Sequence, residues 1–290
     1  MAATSSKSLR RRCKGWARRL AGLSCALQVF VGWSAPLRAD EPRPASAGPL
    51  YITLGANAVY GPTFDGSKRS DVGPWPIISW RNAADKQWLD LPTDGIDFAL
   101  IETEKFRAGP VGYVRWQRGN ELGTARGYSR FGQGNSAIDV SLEAGLFAEF
   151  WPVEWLRTRI EAREAVVGAN GLIGILSSDL VWRPDGAWTL SAGPRLTLAD
   201  RAFMESYYGV TAAQALASSV QAYAPSAGIR SYGGGAMARY KHSDSWTTQA
   251  FADYQHLTGP AGNSPLVRQH GSTEQLLLGV GASYTFRAPW

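Results

Sequence analysis

The first 39 residues contain no Asp or Glu, yet they hold eight basic side chains, Lys7, Arg10, Arg11, Arg12, Lys14, Arg18, Arg19 and Arg38. The apolar stretch from Leu20 to Ala35 is broken by Ser24 and Gln28, and it falls short of the roughly 20 residues a spanning helix requires. The expectation is an export signal over 1–39, cut after Ala39, then a short periplasmic segment over 40–49. Cleavage at Cys25, as in a lipoprotein, would sever the apolar run in its middle.

Beyond that leader the chain lacks cysteine altogether, since Cys13 and Cys25 both precede Asp40. Disulfides, thiol catalysis and zinc–cysteine sites are excluded there. The positive charge goes with the leader too. Lys plus Arg falls from 30 to 22 once its eight bases are removed, against an unchanged 24 Asp plus Glu, so the net charge moves from +6 to −2. Nucleic-acid binding thereby loses its support. No phosphate-cradling glycine loop, EF-hand or metal-ligand cluster is present, and no cofactor is implied. Only three histidines occur, His242, His256 and His270. Ser264 with His256 or His270 can be named as a nucleophile–base pair, but no spacing sets it apart, so the chain reads as non-enzymatic.

The later sequence holds instead a period of two. Ile138, Val140, Leu142, Ala144, Leu146, Ala148 and Phe150 alternate with Asp139, Ser141, Glu143, Gly145, Phe147 and Glu149, and only a strand sorts these onto two faces. Trp188 to Leu198 and Leu276 to Phe286 repeat the pattern. The runs exceed the five or six residues usual in soluble strands and match the 9 to 11 that cross a bilayer at a tilt. Aromatics sit at run ends, among them Tyr60, Trp75, Trp116, Phe150 with Trp151, Trp182, Trp188, Tyr240, Trp246, Tyr254 and Tyr284, as in membrane-barrel girdles.

The expected fold over 50–290 is all-β: an antiparallel transmembrane barrel of about twelve strands, with ten as the alternative, in the outer membrane and in contact with its lipid. The strands read as 50–60, 74–82, 86–91, 95–102, 105–118, 137–151, 154–167, 172–183, 187–199, 228–241, 246–257 and 273–286. Short connections then fall on the periplasmic side and the long ones, 61–73, 119–136, 200–227 and 258–272, outside.

With the apolar face toward lipid, the interior receives Arg107, Arg115, Asp139, Glu143, Arg157, Arg159, Glu161, Arg163, Asp179, Arg183, Arg195, Arg239 and Asp253. Two readings stand. Neighbouring arginines and carboxylates form a paired plug, because unpaired buried charge is expensive; or Arg157, Arg159 and Arg163 form a basic lane for an anionic solute, with Asp139 and Glu143 beside it. Thr211 can cap a short helix through Ala215 in the longest outer loop, where it constricts the pore, shapes the surface or only stabilises the loop.

Several stretches resemble the MipA/OmpV family of outer-membrane proteins, the MltA-interacting protein family. They are GANAVYGPTFDGS (Gly55 to Ser67), GPVGYVRWQRG (Gly109 to Gly119), YYGVTAAQA (Tyr207 to Ala215) with Ser218, Tyr223 and Gly228, SPLV (Ser264 to Val267), and the closing strand through Tyr284 and Phe286. Within them Tyr207, Tyr208, Gly209, Gln214, Ser264 and Pro265 form the candidate loop motif. The chain departs from the pattern at Ser218, Ser219 and Val220, and in continuing past Phe286 to Trp290. The resemblance implies a scaffold that binds a murein-degrading transglycosylase and a murein synthase in cell-wall assembly. A narrow solute channel or a surface adhesin is the alternative.

Overall fold

The computed structural model describes residues 49–82, 88–118, 138–217 and 220–288, which build one twelve-stranded sheet. The strands are β1 (Leu50–Pro62), β2 (Ser70–Asn82), β3 (Ile96–Asp97), β4 (Ile101–Glu102), β5 (Phe106–Arg118), β6 (Ile138–Val153), β7 (Leu156–Val167), β8 (Leu172–Trp182), β9 (Trp188–Ala199), β10 (Gly228–Lys241), β11 (Trp246–Leu257) and β12 (Glu274–Arg287). Apart from β3 and β4 they run 11 to 16 residues, long enough to cross a bilayer at a tilt. Among the described residues four helices lie in the outer connections: α1 (Arg201–Tyr208), α2 (Ala212–Ala217), α3 (Gly259–Gly262) and α4 (Pro265–His270).

From β5 to β12 each strand pairs with the next, and β12 pairs with β1 from Tyr51 opposite Arg287 to Tyr60 opposite Leu278. β3 and β4 lie along the other edge of β5, with Ile96 opposite Gly112 and Ile101 opposite Ala108. Among the described residues no ladder joins β2 to β3, β4 or β5, so the ring is nearly closed and its seam lies there. β2 carries Pro74 and Pro76, residues that lack an N–H and suit such an edge.

The faces are inverted relative to a soluble sandwich. In β6 the outward Leu146 is 67% exposed while the inward Glu149 is 1% exposed. The same alternation puts Leu176 and Leu180 of β8 outside and Ser177 and Asp179 inside. Apolar side chains outside and charges inside suit lipid around the barrel, not a dry core within it. At the periplasmic strand ends the outward aromatics touch across the ladder, Trp188 with Tyr240 at 4.8 Å and Trp246 with Tyr284 at 5.2 Å between ring centroids. Two aromatics expected in the girdles turn inward instead: Trp151 is buried, and Trp75 meets Tyr113 edge-on at 6.4 Å. Each sits at the inward phase of its strand, which outweighs its place near a strand end.

Of the strand expected over 86–91, residues 86 and 87 lie outside the described residues and 88–91 form no strand; residues 88–95 are not in the sheet. The alternating order of directions around the sheet makes β2 and β3 run the same way, so the chain between them has to return, and residues 88–95 lie in the lumen. Leu89 and Leu91 are buried there with Val59, Trp151, Val181, Met237 and Phe251. Trp88 packs on Trp151 at 6.0 Å. Pro92 and Gly95 break the strand pattern on the far side of this inward strap.

The segment from Phe98 to Leu100 presses closely on β5. Phe98 N–H donates to the Pro110 carbonyl at 3.0 Å and Leu100 N–H to the Ala108 carbonyl at 2.9 Å. A Cβ on Gly109 would fall on the Phe98 carbonyl oxygen and the Leu100 nitrogen. Gly109→Val is therefore expected to push this segment off β5 and destabilise the barrel by about 1–3 kcal/mol, seen as a lower urea midpoint by tryptophan fluorescence. A midpoint equal to that of wild type would refute the contact.

Candidate functional site

The inward residues of β5 to β9 build a ladder of buried ion pairs along the lumen. At its outer end Asp65, in the β1–β2 loop, meets Arg230, and its second oxygen lies 3.7 Å from Arg115. Arg115 Nε donates to Glu143 at 2.6 Å. Arg163 stands 3.3 Å from Glu143 and 3.1 Å from Glu161 without hydrogen-bond alignment, and its guanidinium lies 4.1 Å from the Tyr113 ring centroid, an arrangement that stabilises a cation away from water. Arg159 Nε donates to Glu161 at 2.6 Å.

The ladder converges on Glu149 toward the periplasmic end. Its carboxylate is 3.1 Å from Arg159, 2.8 Å from Arg157 and 3.2 Å from Arg107, and it also accepts from the Trp151 indole at 2.7 Å. Asp179 joins Arg157 at 3.2 Å to Arg195 at 2.6 Å. These charges are shielded from water, so each depends on its partners.

The inward strap and β3 after it add carboxylates to the same guanidiniums. Asp94 accepts from Arg157 at 2.5 Å, Asp97 of β3 lies 2.7 Å from Arg159, and Asp90 lies 3.5 Å from Arg107. The Asp90 carbonyl also accepts from Arg239 at 2.6 Å. Above the strap a cavity of about 180 Å³ remains, lined by Trp75, Tyr113, Arg195, Asp253, Gln255 and Gln275 among others.

The outer mouth is capped. Asp200 accepts from the Phe203 N–H at 2.7 Å and starts α1, whose Phe203, Met204, Tyr207 and Tyr208 pack with Ile173, Leu257, Ala261 and Val267. Burial pushes the Tyr208 hydroxyl above its ordinary range against the opposing pull of Arg230, whose Nε donates to it at 2.9 Å. The cap also depends on Gly171, with φ at +111° and no room for a Cβ beside Phe203 and Asp200.

The candidate loop motif is brought together here. Thr211 and Gln214 cap α2 reciprocally, Thr211 N–H donating to Gln214 Oε1 at 2.8 Å and Gln214 N–H to Thr211 Oγ1 at 3.2 Å. Gly209 N–H donates to the Glu205 carbonyl and closes α1. Ser264 caps α4, with Pro265 in its first turn, and donates to the Tyr208 carbonyl at 2.7 Å. That bond ties the two sequence motifs together.

Of the lumen candidates, Glu143, Arg157, Arg159 and Arg163 lie in one buried network. The side chain of Asp139 lies outside the described residues. Arg183, expected in the lumen, lies past the end of β8 and is exposed. Glu149, Asp90, Asp94 and Asp97 were absent from the sequence candidates. Glu149 carried a usable signal, the inward phase it shares with Glu143. The strap acids carried none, because nothing local shows a segment folding inward.

The family model described as MltA-interacting protein MipA matches residues 54–286. The chain belongs to that family. As a MipA-family barrel of this topology it is an outer-membrane protein. No curated protein matches it in sequence. Among solved structures it is similar to the NanC porin, at 8% identity and a TM-score of 0.38 over 81% of this chain and 98% of that one. It is also similar to the translocator domain of the autotransporter NalP from Neisseria meningitidis, at 11% identity and 0.37 over 99% and 100%. A loop-deletion mutant of OmpT from Vibrio cholerae aligns at 8% identity and 0.32 over 82% and 98%.

Proposed function

We propose that this barrel is a non-enzymatic scaffold that holds a murein-degrading transglycosylase and a murein synthase at the inner face of the outer membrane. Family membership suggests the partners. The observation that carries the reading is the filled lumen. Strap, ion-pair ladder and helical cap take up the bore among the described residues, and a structure spent on closing its own channel serves better as a platform. Ser264 supports the non-enzymatic part: it is fully buried and bonded to the Tyr208 carbonyl and the Leu266 N–H, whereas His256 faces outward, 2.6 Å from Glu274.

The test is affinity capture by the tagged full-length protein from detergent-solubilised envelopes. Recovery of a murein hydrolase together with a synthase is the expected result, and recovery of neither overturns the reading. A second measurement addresses the channel alternative. Purified wild-type protein in planar bilayers is expected to give no conductance steps, and regular steps would favour a solute channel instead.

A further inference from the structure

We propose that the cavity above the strap is a binding site for one neutral sugar, a hexopyranose held inside the lumen and not passed through it. The site is separate from the scaffold role, because no partner has to reach it.

The cavity holds about 180 Å³, the liquid volume of about six waters, which is room for one pyranose with its hydroxyls and not for a chain of them. Four guanidiniums and four carboxylates line it. The guanidiniums keep the ion pairs of the wall: Arg115 and Arg163 have Glu143, Arg195 has Asp179, and Arg230 has Asp65. A small anion or cation therefore meets no surplus of opposite charge and gains little for the water it sheds. A neutral molecule rich in hydroxyls carries no such penalty, and each hydroxyl both donates and accepts.

Polar groups of the wall are left over for it. Among the described residues Asp253 makes no ion pair, and only its Oδ1 accepts a hydrogen bond, from Gln255 at 3.0 Å. The hydroxyls of Thr93 and Thr197, both in the cavity wall, have no hydrogen-bond partner among the described residues, although Thr197 is buried. Arg195 uses its terminal nitrogens on Asp179 and on the carbonyls of Gly193 and Pro194, which leaves Nε. Buried polar groups without partners are costly, and a hydroxylated ligand supplies the partners.

Gly235 keeps the acceptor and the donor apart. It stands at the inward phase of β10 opposite Asp253, and a Cβ on it would lie 3.1 Å from both Asp253 Oδ2 and Arg195 Nη2. Without that side chain the gap between carboxylate and guanidinium is open. It suits two adjacent hydroxyls, one donating to Asp253 and its neighbour accepting from Arg195. Trp75 and Tyr113 set two rings at 74° in the same wall, apolar surface for the C–H face of a pyranose.

The probes are D-glucose, D-galactose, D-mannose and N-acetyl-D-glucosamine, each alone. They are titrated by calorimetry into the full chain in lauryldimethylamine oxide, a detergent without a sugar headgroup. Wild type is expected to bind at least one of them saturably, with a Kd of about 10 µM to 1 mM. Asp253→Asn, which keeps the shape but removes the charged acceptor, is expected to weaken that binding at least about tenfold. Gly235→Val, which fills the gap and leaves every charge in place, is expected to abolish it. Retention of the heat-dependent gel shift shows that each variant is folded, and should one fail to fold, the other carries the comparison.

No binding of any of these sugars to wild type overturns the proposal. Equal binding by wild type and a folded variant places the sugar elsewhere and overturns it too. Tighter binding of leucine than of any sugar would assign the cavity to a zwitterion, with the same result. None of these outcomes depends on the capture experiment, so failure of the sugar site and failure of the scaffold role are separable.

Discussion

Glu149→Gln is expected to destabilise the barrel by about 3–5 kcal/mol, the range for removing one partner from a buried charge network. The amide keeps the shape of the carboxylate but places an N–H₂ among three guanidiniums that now lack their shared counter-charge. Arg107 retains Asp90 and Asp97, Arg159 retains Glu161 and Asp97, and Arg157 retains Asp179 and Asp94, so the network is weakened at its node rather than dissolved. The measurement is the temperature at which the folded gel band converts to the unfolded one, with the urea midpoint as a second reading. A variant within about 1 kcal/mol of wild type would mean that strap and wall acids compensate fully, and Glu149 would lose its place as the node.

The second large effect concerns the outer surface. Leu146→Arg places a charge near the middle of β6 on the lipid face and is expected to cost about 2–4 kcal/mol in a bilayer. Leu216 is 91% exposed on α2, and Leu216→Arg is expected to cost less than about 0.5 kcal/mol, as an ordinary surface change does. Both are read as unfolding free energies in lipid vesicles. Equal small effects would place Leu146 in water and remove the membrane from around β6.

The strands were legible because the bilayer imposes a strict rule on them. Outward positions must be apolar, so the alternation from Leu142 to Phe150 fixed face and length at once. The reciprocal cap of Thr211 and Gln214 was half legible from the same kind of local chemistry, Thr ahead of a run of helix formers. The strap was not legible. Trp88, Leu89, Asp90 and Leu91 carry a mixture of apolar and acidic residues that suits a short strand as well as a lumen-filling segment, and the choice depends on directions of strands far away in sequence. The charges on β7 showed that Arg157, Arg159, Glu161 and Arg163 share a face, but the counter-ions other than Glu161 come from four other elements, which no local pattern reveals. Trp75 and Trp151 misled for a related reason: position near a strand end suggests a girdle, and only phase decides the side.

The ladder between β1 and β12 joins Tyr51 to Arg287, residues at opposite ends of the folded sequence, while the seam falls between β2 and β3. A loop spanning nearly the whole barrel must close before β1 acquires its second neighbour, the kind of long-range pairing that slows folding. Assembly is thus committed late. The hairpin of β1 and β2 has to wait for the last strand, and the seam beside β2 lets the strap settle into the bore without a ladder having to break.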